Sequence, residues 1–587
     1  MERLMTPFGE KLNKDLPLNE YPRPQMERNS FQNLNGRWEY AIYRKDETFN
    51  GYQGEIIVPF SPESILSGVE KTVTDDDILY YRRKFDFVKE NDKAILHFGA
   101  VDYLCEVILN GVSVGKNRGG YYPFEFDVTD VIKEGENVIE VVVTDPTEKG
   151  TQARGKQTTK RGGIWYTPQS GIWQTVWMEQ VADGYIRRIK LTPDIDKDEL
   201  TVELFFSGET IPATVSVFDK GEEKVSVVAE NGKCVIKLDS YELWSPENPY
   251  LYDLKIQAGK DEIKSYFGMR KFGVGKDKDG ISRLMLNNKP YFHNGLLDQG
   301  YWSDGLYTAP SDEAFIFDIE TMKKMGFNML RKHIKIEPLR WYYHCDRLGM
   351  LVWQDMISGG GIYNPAAIMI VPALNMGLGT KAFMRDDKEK GYKFFSREDE
   401  AGRKEYYEDS ARMVEELFNV VSLAVWVPFN EGWAQFDSVK AYEFYRKLDP
   451  TRSIDHASGW HDQGIGDFNS FHIYFTPFWF PKYDKNDERP IILSEFGGFS
   501  LKVAGHMYNK EKFFGYRKYY EQSKFDAALA KLFGGRVKKA IKRGLSATVY
   551  TEVSDVEDEC NGLLSYDRRV IKADVDALRK INEEIKL

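Results

Sequence analysis

The chain has 587 residues, too many for one ordinary hydrophobic core, so two to four domains are expected. An apolar fraction of 42% and an aromatic fraction of 14% exclude wholesale disorder, and no uninterrupted apolar run is long enough to cross a bilayer. With 91 acidic side chains against 80 basic ones, and no Lys/Arg block interleaved with aromatics, phosphate-rich polymers are repelled on average, which argues against nucleic acid as a partner.

Cys105, Cys234, Cys345 and Cys560 are far apart and lack metal-type spacing, so buried free thiols in a reducing compartment are expected. The N-terminus shows no basic segment followed by an apolar stretch and a cleavage site, which makes the cytoplasm the expected address. No His/Cys/carboxylate cluster calls for a metal, and no cofactor is expected.

From about Asn35 to Val181, short runs such as Ala94-Ile-Leu-His-Phe98, Cys105-Glu-Val-Ile-Leu109 and Asn137 to Val143 alternate with Gly/Asn/Asp turns, among them Asn110-Gly111. A β-sandwich is predicted over residues 1–182. Further alternating runs, Leu200 to Phe206, Ala213 to Phe218 and Leu251 to Ile256, predict a smaller sandwich of immunoglobulin-like size over residues 183–275. After Gly280 the rhythm becomes strand, loop, helix. Asn328 to Arg331 leads into a helix near Glu337 to Leu348, and Met350 to Gln354 is the next strand. Ser422 to Val427, Arg452 to Asp455, Asn469 to Tyr474, Pro490 to Glu495 and Leu545 to Tyr550 continue the series. About eight such units predict a (β/α)8 TIM barrel over residues 276–587.

In such a barrel, side chains at the C-terminal ends of the strands converge on one face. Phe429-Asn-Glu-Gly-Trp433 ends one strand and Leu493-Ser-Glu-Phe-Gly-Gly498 another, which places Glu431 and Glu495 on the same rim. Single strand-end glutamates are usually solvated loop charges. These two have unusual flanks: Asn430 can donate to a sugar 2-hydroxyl, and Gly497-Gly498 lets backbone pass close to a bound ring. Carboxyls about 5–5.5 Å apart can divide the labour of a retaining glycosidase, one attacking the anomeric carbon and the other serving as acid, then base.

The sequence resembles glycoside hydrolase family 2, the group of β-galactosidases, β-glucuronidases and β-mannosidases, over nearly the whole chain. Tyr166-Thr-Pro-Gln-Ser-Gly-Ile-Trp-Gln-Thr-Val-Trp177 is similar to the signature closing that family's N-terminal galactose-binding-like jelly roll. Phe267-Gly-Met-Arg-Lys-Phe272 is similar to its junction between immunoglobulin-like domain and barrel. Trp426 through Glu431 resembles the acid/base strand and Ile492-Leu-Ser-Glu-Phe-Gly497 the nucleophile strand, so the resemblance assigns Glu431 as acid/base and Glu495 as nucleophile. Phe471-His-Ile-Tyr474 resembles the family's His-x-Tyr segment, implying that Tyr474 holds the nucleophile ionised and that His472 lines the pocket. Leu330-Arg-Lys-His333 resembles the Arg-containing second strand, with the Arg331-to-His333 spacing one residue shorter than usual.

Trp353, Trp433 and Trp460 follow or end barrel strands, where an aromatic face can stack on a pyranose or simply fill the barrel. Asp298 and Asp355 are candidates to accept from sugar hydroxyls. On the last strand Tyr550 stands where the family commonly has Trp, followed by Thr551-Glu552, and Glu552 is a further pocket candidate. The glucuronidases' Asn-x-Lys motif has no lysine in the corresponding stretch, Glu559-Cys-Asn561-Gly562. A neutral glycone, galactose first, is therefore expected, with glucose, arabinopyranose or mannose behind it. The insert from Gly359 to Lys390 is expected to form a loop over the pocket. The expected partner is an oligosaccharide or small glycoside, and members of the family are often oligomers. An endo-acting glycanase or a transglycosylase would share these carboxylates, and a non-catalytic carbohydrate-binding protein would share the sandwiches and aromatic clefts.

Overall fold

The computed structural model describes residues 3–377, 383–474 and 486–587. The N-terminal part pairs a six-stranded antiparallel sheet with a four-stranded one. Between them lies a core that includes Trp38, Tyr81, Leu96, Val107 and Val141. Alternation produces this arrangement: in the strand Gly135–Thr144 every second residue from Asn137 on is buried. The hairpin Leu104–Leu109/Val112–Arg118 turns at Asn110 and Gly111, both with positive φ, as a two-residue reversal requires. A second sandwich follows, of three and four strands, closed on Val202, Val215, Ile236 and Ile256. The four cysteines are buried and unpaired.

The C-terminal part is a curled sheet of eight parallel strands: β1 His293–Asp298, β2 Met329–Lys332, β3 Leu351–Asp355, β4 Leu423–Val427, β5 Ser453–Ile454, β6 Asn469–Ile473, β7 Ile491–Gly497 and β8 Leu545–Thr551. The hydrogen-bonded order runs β5-β4-β3-β2-β1-β8-β7-β6, and Asp467 N donates to Ile454 O (3.1 Å) across the remaining gap. Leu297, Met329, Leu351, Val425, Ile492 and Val549 fill the interior, while Leu296, Leu330, Val352 and Trp426 pack outward in the core that takes in the helices. The predicted helix after β2 spans Leu339–Leu348 and ends on Gly349 in the left-handed region, whose N–H reaches Cys345 O.

Two expectations change here. The insert after β3 is not a plain loop: Ala366–Ile370 is a π turn, Val371–Gly377 and Glu389–Phe394 are helical, and 378–382 fall outside the described residues. The predicted strand Arg452 to Asp455 shrinks to Ser453–Ile454, because Arg452 instead turns inward to donate to the Leu423, Phe418 and Val420 carbonyls. No helix among the described residues is long and apolar enough to cross a membrane.

Candidate active site

Glu431 lies just beyond β4 and Glu495 within β7. The ladder slips on both sides of Glu495: β6 and β7 shift register at Phe471/His472, and β7 and β8 between Leu493 and Phe496. Such irregularities re-aim side chains at a barrel rim. Glu431 itself has φ +51°, and its N–H is held by Ser458 O (3.0 Å). One oxygen of Glu431, one of Glu495 and a ring nitrogen of His472 all lie within 4.8 Å of one another. His472 Nδ1 is 2.7 Å from Glu431 Oε1 and 3.5 Å from Glu495 Oε2, and its Nε2 is 3.1 Å from Ser458 Oγ. An imidazole protonated at Nδ1 satisfies both sides, donating to the carboxyl and accepting from the serine. Among the described residues this trio alone has donor atoms close enough to hold a metal ion, and an ion there would occupy both carboxylates.

Arg331 forms the floor. Fully buried, it grips Asp355 with two bonds (2.9 and 3.0 Å) and donates to Asn430 Oδ1 (2.8 Å), Ser494 O (2.9 Å) and Glu495 Oε1 (3.3 Å). Asp355 also receives His333 Nδ1 at 2.6 Å, so it anchors its neighbours rather than waiting for a hydroxyl. The Tyr474 hydroxyl donates to Glu495 and lies 3.0 Å from Thr551 Oγ1, and its ring stacks on Tyr516 at 3.7 Å.

The two carboxyls differ electrically. Burial raises Glu431 to about 7, against the opposing pull of Lys156 and Arg331. Burial also raises Glu495, but His472, Arg331 and the Tyr474 hydroxyl all favour its ionised form. A group raised to about 7 thus faces one that burial and Glu431 also raise, but whose ionised form His472, Arg331 and Tyr474 favour.

Several buried polar atoms around the pair have no hydrogen-bond partner among the described residues: Asn430 Nδ2, the indole N–H groups of Trp433 and Trp460, and both oxygens of Glu552. Buried polar groups are normally paired, so this set is ready for a ligand rich in hydroxyls. Trp433 belongs to an aromatic wall with Trp165 (5.2 Å) and Tyr363 (5.5 Å), and Trp460 lies 5.9 Å from His472.

Two predicted pocket residues lie elsewhere. Trp353 points into the barrel one layer below Asp355, fully buried against Phe468, with its indole 3.0 Å from His293 Nδ1. Asp298 faces out of the barrel toward Lys332 (2.7 Å) and Gly300 N (2.9 Å), in a buried ion cluster with Glu337 and Lys335. Strand parity explains this: Leu297 faces inward, so Asp298 cannot.

Sequence reasoning missed what the sandwich domain contributes. Its loop 151–169 crosses the barrel mouth. Arg154 and Gly155 N–H groups donate to Ser358 O after β3 (3.0 and 2.9 Å), the Tyr166 hydroxyl donates to Glu559 after β8, and Thr167 N donates to Glu557 (3.1 Å). Gly155 has φ +62°, and a Cβ there would lie 3.1 Å from Ile334 O. The loop brings Trp165 to the aromatic wall and sets Lys156 over the faces of Tyr166 (5.5 Å) and Trp433 (5.8 Å). Lys156 acts electrostatically on Glu431, Asp355, His333 and Glu552.

Comparison with known proteins matches each part. Residues 68–172 match the glycosyl hydrolase 2 galactose-binding domain-like family, 184–270 the glycosyl hydrolases family 2 domain, and 278–587 the family 2 TIM barrel domain. A β-galactosidase of Thermoanaerobacter pseudethanolicus is 25% identical over 425 residues, 64% of this chain and 55% of that protein. A putative β-glucuronidase of Formosa agariphila is 27% identical over 49% of this chain and 28% of its own length. The chain thus spans about half or less of these relatives. In fold it is similar to a β-glucuronidase from an uncultured Clostridium (TM-score 0.73, 17% identity, 95% of this chain and 99% of that one). It is likewise similar to a β-galacturonidase from Eisenbergiella tayi (TM-score 0.67, 18% identity, 96% and 99%). With its barrel profile covering more than half the sequence and both sandwich profiles in order before it, the chain belongs to glycoside hydrolase family 2.

Proposed function

We propose that the protein is a retaining β-glycosidase that removes a sugar from the non-reducing end of a glycoside. The observation that carries this reading is the pairing of Glu431 and Glu495, with oxygens within 4.8 Å and unlike electrostatic surroundings. That separation suits direct attack and is shorter than the roughly 6.5–9.5 Å an inverting enzyme needs to admit water. A Glu495 oxygen attacks the anomeric carbon as its bond to the leaving oxygen breaks, and that oxygen takes the proton of Glu431. Water then gives a proton to Glu431 and attacks the same carbon, and the Glu495 ester breaks. Arg331 and Tyr474 keep Glu495 anionic and oriented, and Asn430 Nδ2 is placed for the 2-hydroxyl.

A β-galactoside is the substrate to which the missing barrel lysine and the names of several relatives lead. The premise that no cation meets the sugar no longer holds, however, because Lys156 reaches the pocket from the other domain. A purely binding role would leave the contrast between the two carboxyls without use. The test is a 2-deoxy-2-fluoro-β-glycoside with a dinitrophenyl leaving group, combined with peptide mapping and proton NMR of the first product anomer. A label on Glu495 and a β-anomer first are expected. A label elsewhere, or α-anomer first, sinks the mechanism.

A further inference from the structure

We propose that Lys156, delivered by the sandwich domain, pairs with a carboxylate on the glycone and makes the pocket selective for β-linked uronic acids. This rests on the retaining-glycosidase reading above. Four lysines are buried among the described residues. Lys332, Lys335 and Lys572 each hold a carboxylate, at 2.7, 2.8 and 2.7 Å. Lys156, 6% exposed, has none within 4.0 Å among the described residues, and its neighbours are the two aromatic faces. A buried cation without a counter-charge is costly, and the other three show how this fold ordinarily meets that cost. An anion brought by the substrate supplies the missing partner.

A second, independent feature points the same way. Trp433, over whose ring Lys156 lies, has a buried indole N–H with no acceptor among the described residues. An ammonium over the ring and an indole N–H in it, neither with an acceptor among the described residues, are two donors of the kind a carboxylate accepts from. A neutral hydroxyl can accept from these donors but brings no negative charge to meet the ammonium. The acidic residues nearby do not fill this role. Glu559 is taken by the Tyr166 hydroxyl and by Asn561 Nδ2 (3.0 Å), and burial together with Glu559 pushes the Glu552 carboxyl well above the usual carboxylate range, against the opposing pull of Lys156.

Depth assigns the anion to the glycone rather than the leaving group. Lys156 and Glu495 are 6% and 3% exposed, and in an exo-acting pocket the sugar that is removed occupies the bottom. The barrel's last loop, which has no lysine in Glu559-Cys-Asn561, is thereby complemented from another domain.

The experiment compares kcat/KM on 4-nitrophenyl β-D-glucuronide, β-D-galacturonide, β-D-galactoside and β-D-glucoside for wild type, Lys156→Met and Lys156→Arg. Wild type should prefer one of the uronides. Lys156→Met should lower the uronide-to-neutral ratio about 100-fold, and Lys156→Arg should hold it within about tenfold of wild type. A wild type that prefers a neutral glycoside, or a Lys156→Met variant that slows every substrate by one common factor, overturns the proposal. Calorimetric titration of Glu431→Gln protein with free D-glucuronate, D-galacturonate and D-galactose reads the same preference without turnover, and tighter binding of galactose also overturns it. If Glu431→Gln and Glu495→Gln abolish a neutral glycosidase activity, the catalytic reading stands and the Lys156 proposal falls. If uronates bind but no glycoside in the panel is cleaved, the reverse holds.

Discussion

Replacing Glu431 by glutamine should remove a proton-transfer group and, at the same time, stabilise the fold above neutrality. The carboxyl is raised from 4.5 to about 7 chiefly by burial, so the folded chain keeps a proton that the unfolded chain has already released. Stability therefore falls as pH climbs from about 4.5 to about 7, and above that window the folded state bears the full cost of a buried anion, about 3 kcal/mol. Glutamine has no charge to desolvate. At pH 8 the variant should melt about 4 °C above wild type for a cooperative barrel of this size, and at pH 4 the two should coincide. The same change should lower kcat/KM by about 100- to 10,000-fold on glycosides with poor leaving groups and abolish the basic limb near pH 7. Scanning calorimetry at the two pH values and a pH–rate profile check both halves. An equal melting difference at pH 4 and pH 8, or a basic limb that survives the substitution, would refute the assignment of the raised carboxyl to Glu431.

Two further outcomes follow from the geometry. Tyr474→Phe removes a hydrogen bond that favours ionised Glu495, so the acidic limb of kcat/KM should move to higher pH and the plateau should drop roughly ten- to hundredfold, read from a pH–rate profile on one substrate. Asp298→Ala should cost about 3 kcal/mol in denaturant unfolding, because Lys332 loses its closest carboxylate, while KM changes by less than about threefold. A large rise in KM would return Asp298 to the pocket.

The strand rhythm was legible, and so was the meeting of Glu431 and Glu495, because side chains beyond barrel strands converge on one rim and each glutamate carries its own local flank. Arg331, Tyr474 and His472 were legible through short motifs on neighbouring strands, and the structure brings all three to the carboxyls. Trp353 and Asp298 were misread for a geometric reason. A strand end puts alternate residues on opposite sides, and an inward residue two positions earlier sits a layer deeper. Counting alternation from the inward Arg331 and Asp355 would have placed Trp353 correctly. Strand β1, His293–Asp298, escaped because His293, Asn294 and Gly295 blunt its apolar signal. Lys156, Trp165 and Tyr363 offered no signal, since their meeting with Trp433 depends on how one domain docks on another.

That docking gives the pocket two owners. The barrel holds the reacting carboxyls on rigid strand ends, whereas part of the wall hangs from a sandwich loop that is pinned by backbone carbonyls at Ser358, Gly360 and Gly361. The backbone N–H groups of Arg154 and Gly155 make the first of these pins and the Arg154 guanidinium the other two. An exchange of residues within 151–169 would change the pocket wall and, through Lys156, the electrostatics of Glu431 as well. The two parts are nevertheless one body at this seam, because Tyr121, Tyr166 and Trp173 of the sandwich share a buried core with Leu296, Leu330 and Trp426 of the barrel.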